Sequence, residues 1–246
     1  MATGSDDTEV RALICLPTYD ERENLEPMLR ALGEVLGPDD RVLVIDDDSP
    51  DGTGQLADRL AAELPFVDVL HRERKEGLGR AYIAGFRLAL EREAELVLEM
   101  DCDFSHDPKD VPRLIEAAGE ADLVLGSRYV HGGRVRDWGV VRRLISKGAS
   151  IYTRLLLMPV KDPTGGFKCF RREVLEQLDL DAITSRGYMF QIETTYRVRR
   201  LGFRIREIPI TFADREVGGS KMSRAIVAEA IWKVPALRLA ALRGRV

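Results

Sequence analysis

The chain has 246 residues, of which 45% are hydrophobic and 32% are charged, and its formal net charge is −4 at pH 7. These values are typical of a globular protein, and the length is sufficient for one large domain with a sizeable core. A general nucleic-acid binder needs a net basic surface that displaces counterions from phosphates. The acidic balance therefore predicts that nucleic acid is not a partner.

Cysteine usage and apolar runs bear on the compartment. Cys15, Cys102 and Cys169 are scattered without C-x-x-C spacing, so they suggest neither a zinc site nor a disulfide framework. The first residues are polar and acidic, and no apolar run approaches the roughly 20 residues that span a bilayer. We therefore expect a cytoplasmic protein that meets any lipid substrate peripherally, at the cytoplasmic face of a membrane.

Short apolar runs alternate with amphipathic helical patterns in the first half of the chain. Strand-like runs occupy residues 11–16, 41–46, 67–71, 95–100 and 122–127, and helical patterns occupy 21–36, the stretch after Thr53, 77–93 and 108–119. Such alternation predicts an α/β fold with a mostly parallel sheet covered by helices. Ligands bind these sheets beyond the carboxyl ends of the strands, so the polar residues that follow each strand are the candidates for a site.

The second half is less regular. Its predicted elements are a Gly/Arg-rich loop at 128–137, a helix at 138–157, a strand at 165–170, a helix at 187–201, a strand at 204–212 and a polar loop at 213–221. No internal repeat or Pro/Ser linker divides the chain. We predict one large domain over residues 1–222 that carries the site, followed by a C-terminal amphipathic helix over residues 223–246.

Two carboxylates, Asp101 and Asp103, come directly after the apolar run at 95–100. In extended backbone, residues i and i+2 point to the same side, so both carboxylates would face one point. Hard oxygen ligands of this kind suit Mg²⁺ or Mn²⁺ shared with a diphosphate, whose departure the metal would assist. A solvated acidic turn is the alternative. His106 beside the pair is either a further ligand or a packing residue.

A second acidic cluster, Asp46–Asp48, follows the strand at 41–46 and leads into a Pro-Asp-Gly turn. Adjacent carboxylates repel one another, and the N–H and O–H donors of a nucleoside would use them. After the first strand, Tyr19 could stack beneath a base and Asp20 could cap the following helix. In the acidic cluster, turn formation by the later residues is compatible with ligand contact by Asp47, whereas capping by Asp20 is the preferred interpretation of the residues after the first strand.

Cationic residues are grouped on glycine-bearing loops. Arg128 follows the strand at 122–127, and Arg215 and Lys221 lie in the loop at 213–221. A further group comes after a Gly-Gly pair and consists of Arg134, Arg136, Arg142 and Arg143. Guanidinium forks match phosphate oxygens, and such loops can close over a substrate. Arginine greatly outnumbers lysine throughout, so a coding bias is the alternative for any single residue.

Two other reaction classes find little support. The stretch Gly77-Leu78-Gly79 lacks the third glycine of a dinucleotide-binding motif, because position 82 is Tyr. The sequence contains neither a G-x-S-x-G elbow nor an H-E-x-x-H helix. These absences exclude a nicotinamide site and argue against nucleophile-based hydrolysis.

Taken together, these stretches resemble dolichol-phosphate mannose synthase and its bacterial polyprenyl-phosphate counterparts, which are inverting transferases with the glycosyltransferase A fold. The matching segments run in order along nearly the whole chain: LPTYDERENL (16–25), IDDDSPDGTG (45–54), GLGRAY (77–82), MDCDFSHDP (100–108), GSRYVHGG (126–133), RRLISKGAS (142–150), DPTGGFKCFRREVL (162–175), GYMFQIE (187–193) and EIPITFADREVGGSK (207–221). The resemblance implies GDP-mannose as the donor, a polyprenyl or dolichyl phosphate as the acceptor, and Mg²⁺ or Mn²⁺. The family often has Gly where Asp48 stands and Ala where Cys102 stands.

The resemblance also implies roles for individual residues. Donor-binding residues would be Pro17, Tyr19, Glu21, Ile45, Asp47, Asp101, Cys102 through its backbone, Asp103, Arg128, Arg215 and Lys221. Within that set, Asp101 and Asp103 would hold the metal and act in catalysis together with Arg128. Residues at the acceptor phosphate would be Arg134, Arg136, Arg143 and Ser220, and those at the sugar Gln191 and Glu193.

The implied chemistry needs no strong base. A phosphate monoester has a second pKa of roughly 6 and is already an anionic nucleophile at neutral pH. An inverting transferase normally deprotonates an acceptor hydroxyl, but this acceptor makes that step unnecessary. Catalysis would rest on positioning two anions and on stabilising the departing GDP.

The C-terminal stretch SRAIVAEAIWKVPALRLAALRGRV combines apolar and basic residues. This composition suits a helix in the membrane interface, where Trp232 is also favoured. Packing against the core or a partner protein is an equal alternative, and we expect Pro235 to kink or restart the helix. Some relatives carry transmembrane helices after this domain, and forms without them can depend on a separate membrane-anchored protein.

Three other functions stay open on sequence grounds. A glucosyltransferase that uses UDP-glucose and the same lipid phosphate would differ only around Gln191 and Glu193. A nucleotidyltransferase would share the sheet and the acidic site, but it would carry a glycine-rich basic loop where this chain has Pro17-Thr18-Tyr19. A sugar-nucleotide-binding module without catalysis is the third.

Overall fold

A computed structural model of the chain describes residues 10–185, 187–214 and 224–243. The strands are β1 Ala12–Thr18, β2 Asp40–Asp46, β3 Val67–His71, β4 Leu96–Glu99, β5 Leu123–Ser127, β6 Arg134–Val135, β7 Lys168–Arg171, β8 Ile205–Pro209 and β9 Thr211–Phe212. The helices are α1 Arg22–Gly33, α2 Thr53–Glu63, α3 Leu78–Glu91, α4 Val111–Ala117, α5 Val140–Leu156, α6 Arg172–Gln177, α7 Gly187–Arg200 and α8 Arg224–Leu242. A short 3₁₀ helix, Pro108–Asp110, precedes α4.

A seven-stranded sheet in the order β3-β2-β1-β4-β7-β5-β8 forms the centre of the molecule. All neighbouring strands are parallel except β7, which runs antiparallel to both β4 and β5. The predicted mostly parallel sheet is therefore confirmed. Because β1 is parallel to β2 and β4, the carboxyl ends of these three strands lie at one edge of the sheet.

Two buried clusters cover the faces of the sheet. Alternate residues of β1 enter different clusters: Leu13 and Cys15 pack with α3, α6 and α7, whereas Ile14 and Leu16 pack with α1, α2 and α4. This burial on both faces explains why the central strands are apolar at almost every position. The helices thereby leave the carboxyl edge of the sheet as the place where polar groups gather.

The second half departs from the predicted elements. The strand predicted at 204–212 is divided: β8 belongs to the main sheet, while β9 pairs with β6 in a separate two-stranded sheet. The strand predicted at 165–170 begins only at Lys168, because residues 165–167 follow a turn at Pro163 and Thr164 and have irregular backbone. A Cβ on Gly165 would lie 3.2 Å from the carbonyl oxygen of Gly126, which shows how closely the two backbones approach.

The expected interruption at Pro235 does not end helix α8, which continues from Arg224 to Leu242. Proline lacks an N–H and so cannot bond to the carbonyl four residues earlier, which is that of Ile231. The hydroxyl of Tyr152 donates to that carbonyl instead, at 2.9 Å. This bond also ties α8 to α5. No helix of the described ranges is long and apolar enough to cross a membrane.

Candidate active site

A cavity of about 400 Å³ opens at the carboxyl edge of β1, β2 and β4. Several residues singled out by sequence line it: Pro17, Tyr19, Glu21, Asp47, Asp101, Cys102, Asp103, Arg128 and Gln191. They come from five separate segments of the chain, so the fold gathers anionic and cationic side chains around one space. A larger open groove, about 910 Å³, lies at the opposite edge of the sheet, but it contains none of these residues.

Other residues that the sequence predicted for the site and that the structure describes do not line this cavity. Ile45 is fully buried in the core and packs against Gly85. Glu193 points away from the cavity, where its carboxylate accepts from Arg197 at 2.8 Å and from the amide of Ser185 at 3.3 Å. Arg134, Arg136 and Arg143 do not line the cavity either. Arg215, Ser220 and Lys221 lie outside the described residues.

The acidic pair lies on a tight turn. Strand β4 ends at Glu99, so the extended backbone assumed from sequence for residues 101–103 is wrong. The turn forms because Phe104 adopts a left-handed φ of 56°, which lets the amide of Ser105 donate to Asp103 Oδ1 at 3.0 Å. The hydroxyl of Tyr82 donates to Asp101 Oδ1 at 3.2 Å. Both carboxylates nevertheless line the same cavity.

The residues around this turn fit a divalent cation shared with a ligand. Asp101 and Asp103 supply hard oxygen atoms, and the nearby hydroxyl of Ser105 is buried without a hydrogen-bond partner in the described ranges. Those ranges contain no group of three or more His, Cys, Asp or Glu side chains that could hold a metal alone. A metal at this turn would therefore take further ligands from a substrate, as Mg²⁺ does with phosphates.

His106 supports the turn from behind. Burial lowers the pKa of its ring to about 4, so the ring is neutral at neutral pH. Its Nδ1 accepts a hydrogen bond from the backbone amide of Asp101 at 3.2 Å, and its ring stacks on Phe167. Of the two roles that the sequence left open, the geometry matches packing and support of the turn.

Arg128 is anchored by an acid that the sequence analysis left without a role. Its Nε and Nη2 donate to the two carboxylate oxygens of Asp162 at 2.7 and 2.6 Å, and its Nη2 also donates to Thr164 at 2.8 Å. Burial lowers the pKa of the guanidinium, but the carboxylate of Asp162 outweighs that effect and raises it. The arginine is therefore a fixed positive charge at the cavity wall. Asp162 belongs to the segment DPTGG (162–166), which the resemblance included.

Arg142 is a second cation at the cavity, and the sequence analysis gave it no specific role. It lies in the first turn of α5, lines the cavity and donates to Asp214 Oδ1 at 2.6 Å. Its guanidinium lies 4.1 Å from the ring centroid of Trp138. Its Nε is buried and has no hydrogen-bond partner among the described residues. Arg142 and Arg128 therefore bring two positive charges to the wall of the cavity.

The loop after β3 contributes Lys75 and Gly77 to the wall of the cavity. Asp47 accepts hydrogen bonds from Arg72 and from the amide of Gly77, the latter at 3.1 Å, and so holds this loop in place. Lys75 on the loop lies 3.2 Å above the ring centroid of Tyr19. Sequence reasoning missed Lys75 and Arg72, because neither belongs to a motif and both reach the site through the loop.

Known proteins resemble this chain over most of its length. An undecaprenyl-phosphate mannosyltransferase of Micrococcus luteus is 51% identical over 94% of this chain and 96% of its own length. A polyprenol monophosphomannose synthase of Mycolicibacterium smegmatis is 49% identical over 91% of this chain and 85% of its own length. These two relatives confirm the resemblance that the sequence motifs indicated.

Solved structures confirm the fold class. A mannosyltransferase of Pyrobaculum calidifontis, in complex with GDP-Man and Mn²⁺, superposes with a TM-score of 0.65 and 20% identity, over 96% of this chain and 65% of that chain. The family described as glycosyl transferase family 2 matches residues 13–179, which is more than half of the sequence. The chain therefore belongs to glycosyl transferase family 2.

Proposed function

We propose that the protein transfers mannose with inversion from GDP-mannose to a polyprenyl or dolichyl monophosphate, giving the polyprenyl-phosphate mannose and GDP. The observation that carries this proposal is that the carboxylates of Asp101 and Asp103 and the guanidinium groups of Arg128 and Arg142 line one cavity. The two relatives, an undecaprenyl-phosphate mannosyltransferase and a polyprenol monophosphomannose synthase, are each matched over more than four fifths of their length and support the same donor sugar and acceptor class.

The acceptor is activated by its own charge. An oxygen of the lipid phosphate attacks C1 of the mannose, the bond from C1 to the diphosphate oxygen breaks, and GDP leaves with the bonding electrons. No proton has to be removed from the nucleophile, because a phosphate monoester is largely dianionic at neutral pH. Arg128 and Arg142 offset the repulsion between the two anions and hold the phosphate in line.

The leaving group is stabilised at the turn that carries Asp101 and Asp103. Asp101 and Asp103 would hold Mg²⁺ or Mn²⁺, which supplies charge neutralisation for the departing diphosphate. The Mn²⁺ in the complex of the Pyrobaculum mannosyltransferase supports the use of a divalent metal. His106 keeps the Asp101 turn in place through its hydrogen bond to the backbone.

The nucleoside would lie against the ring of Tyr19, beside the loop that Asp47 holds. We expect Tyr19→Ala to weaken GDP binding by about tenfold, because base stacking on an aromatic ring contributes roughly 1–3 kcal/mol. The measurement is calorimetric titration of GDP in the presence of Mn²⁺. Tyr19→Phe keeps the ring and is expected to bind GDP like the wild type; equal weakening in both variants would contradict stacking.

A peripheral position on the membrane is supported by an apolar surface beside the cavity. Helix α5 begins at the cavity and exposes Val140, Val141, Leu144, Ile145, Ile151 and Leu155. On the neighbouring α8, Val234 and Ala241 are buried in the core, while Ile231, Trp232, Leu239 and Leu242 are exposed. We propose that these two helices lie on the membrane interface and present the cavity to the lipid phosphate.

The membrane proposal predicts the effect of charge on this surface. We expect the double substitution Leu144→Glu with Leu155→Glu to lower binding to vesicles by at least about tenfold, because two apolar contacts are replaced by charges. Cosedimentation with vesicles that contain an anionic lipid measures the effect. Leu201→Glu, at an exposed leucine outside both helices, is the matched control. Unchanged binding of the double variant would contradict the proposal.

Transfer itself is tested with labelled donors and a short polyprenyl phosphate, with Mg²⁺ or Mn²⁺ present. We expect metal-dependent, chloroform-extractable mannose from GDP-mannose and little sugar from UDP-glucose. Transfer from UDP-glucose alone would contradict GDP-mannose as the donor but would leave the proposed mechanism unchanged. Transfer from neither donor would contradict an autonomous enzyme and point to a membrane-anchored partner protein or to a binding module.

A further inference from the structure

The side chain of Gln191 is an unusual feature of the cavity wall. It is 3% exposed and lines the cavity. Neither of its amide atoms makes a hydrogen bond of ordinary length and angle within the described ranges. Burial raises the pKa of the nearby Glu99 carboxyl to about 7, and the charge of Lys168 and the amide of Gln191 act against that rise. Burying an unpaired amide is costly, so a ligand that offers both a donor and an acceptor is its natural partner.

Gln191 lies near Asp101 in the wall of the cavity. A Cβ built on Gly166 would lie 3.4 Å from Nε2 of Gln191 and 3.9 Å from Oδ2 of Asp101. The space between these two groups is therefore open only because residue 166 has no side chain. If the diphosphate lies at Asp101, the sugar bonded to it reaches this space, and sugar hydroxyls both donate and accept hydrogen bonds.

A buried ion pair lies behind Gln191. Glu99 on β4 and Lys168 on β7 face each other in the antiparallel register, and both residues have 0% exposure. Nζ of Lys168 is 3.8 Å from Oε2 of Glu99 and donates to the backbone carbonyl of Gln191 at 3.1 Å. Neither charged residue lines the cavity. Lys168 therefore connects strand β7 to the turn of α7 that carries Gln191.

Stability alone is a weak explanation for this pair. Buried ion pairs are often no more stabilising than apolar side chains of the same volume, because desolvation offsets the attraction. Lys168 also fixes the backbone of a residue whose side chain faces the cavity. A role in positioning that side chain accounts for both observations.

We propose that Glu99 and Lys168 are positioning residues that hold the Gln191 amide toward the donor sugar, and that they thereby determine selectivity among sugar nucleotides. The inference rests on the proposed use of a nucleotide-sugar donor. Neither residue touches the sugar. Gln191 makes the contact, and the pair sets where its amide lies.

The test compares donors that share the same nucleotide. GDP, GDP-mannose and GDP-glucose are titrated with Mn²⁺ into the wild type and into the double variant Glu99→Gln with Lys168→Met, which removes both charges with little change in volume. We expect the ratio of GDP-mannose to GDP-glucose affinity to fall by about tenfold, while the affinity for GDP changes less than about twofold. Gly166→Ala, which places a methyl group in the sugar space, should weaken both sugar donors and spare GDP.

Cys169→Ala is the matched control, because Cys169 is buried on β7 but packs on the other face of the sheet. It should keep the wild-type donor ratio. Thermal unfolding checks that each variant is folded. The single variant Lys168→Arg retains the positive charge, so it should keep most of the donor selectivity that the double variant loses. An unchanged donor ratio in the folded double variant, or equal loss of GDP and both sugar donors, would overturn the inference. A wild type that selects GDP-mannose but transfers it to no lipid phosphate would overturn the proposed function instead.

Discussion

Asp103→Asn is expected to lower kcat/KM for mannose transfer by about a thousandfold with metal present, which makes it the most damaging single change to activity. Asp103 is 3% exposed, lines the cavity and belongs to the turn that would hold the metal. The amide isostere can still accept the hydrogen bond from Ser105 but carries no negative charge. The loss should therefore appear in catalysis and not in folding.

The measurement is the rate of chloroform-extractable product at several metal concentrations, together with the unfolding temperature. Asp107→Asn is the matched control: Asp107 follows the same turn, but it is exposed and its carboxylate caps the 3₁₀ helix by accepting from the amide of Lys109 at 3.0 Å. This control should retain most of the activity. Turnover of Asp103→Asn close to that of the wild type would show that the carboxylate does not hold a required metal.

Asp162→Asn is expected to lower the free energy of unfolding by about 3–5 kcal/mol, because it leaves the charge of Arg128 buried without its counter-ion. The side chains of the pair are 5% and 0% exposed, so water cannot replace the lost carboxylate. The backbone amide of Arg128 also donates to Asp162, at 2.9 Å, so the substitution disturbs three hydrogen bonds at once. Activity should fall as well, because Arg128 loses its fixed position at the cavity.

Equilibrium unfolding in urea measures this effect. Thr164→Val removes the neutral partner of the same guanidinium and keeps the charge pair, so it should cost only about 1 kcal/mol. An Asp162→Asn protein as stable as the wild type would mean that Arg128 finds another counter-ion or access to water. A loss similar to that of Thr164→Val would mean that the pair contributes no more than a neutral hydrogen bond.

The sequence by itself determined the fold class and the edge of the sheet that carries the site. The runs that form β1, β2 and β4 are apolar because they are buried on both faces, and this pattern is visible without coordinates. The grouping of the residues that follow these strands, such as Tyr19 and Asp103, could be predicted from chain order, because parallel strands end at one edge of the sheet. Local motifs also sufficed to recognise the family.

Only the tertiary structure decided which charges meet. Asp162 pairs with Arg128 across 34 residues, and Lys168 meets Glu99 because β7 runs antiparallel between β4 and β5. Arg142 enters the cavity, whereas Arg143, its neighbour in sequence, does not, since successive residues of a helix point in different directions. Glu193 turns away from the cavity for the same reason, two residues beyond Gln191. Such contacts join segments that are distant in sequence, and no local pattern encodes the strand order or helix rotation that brings them together.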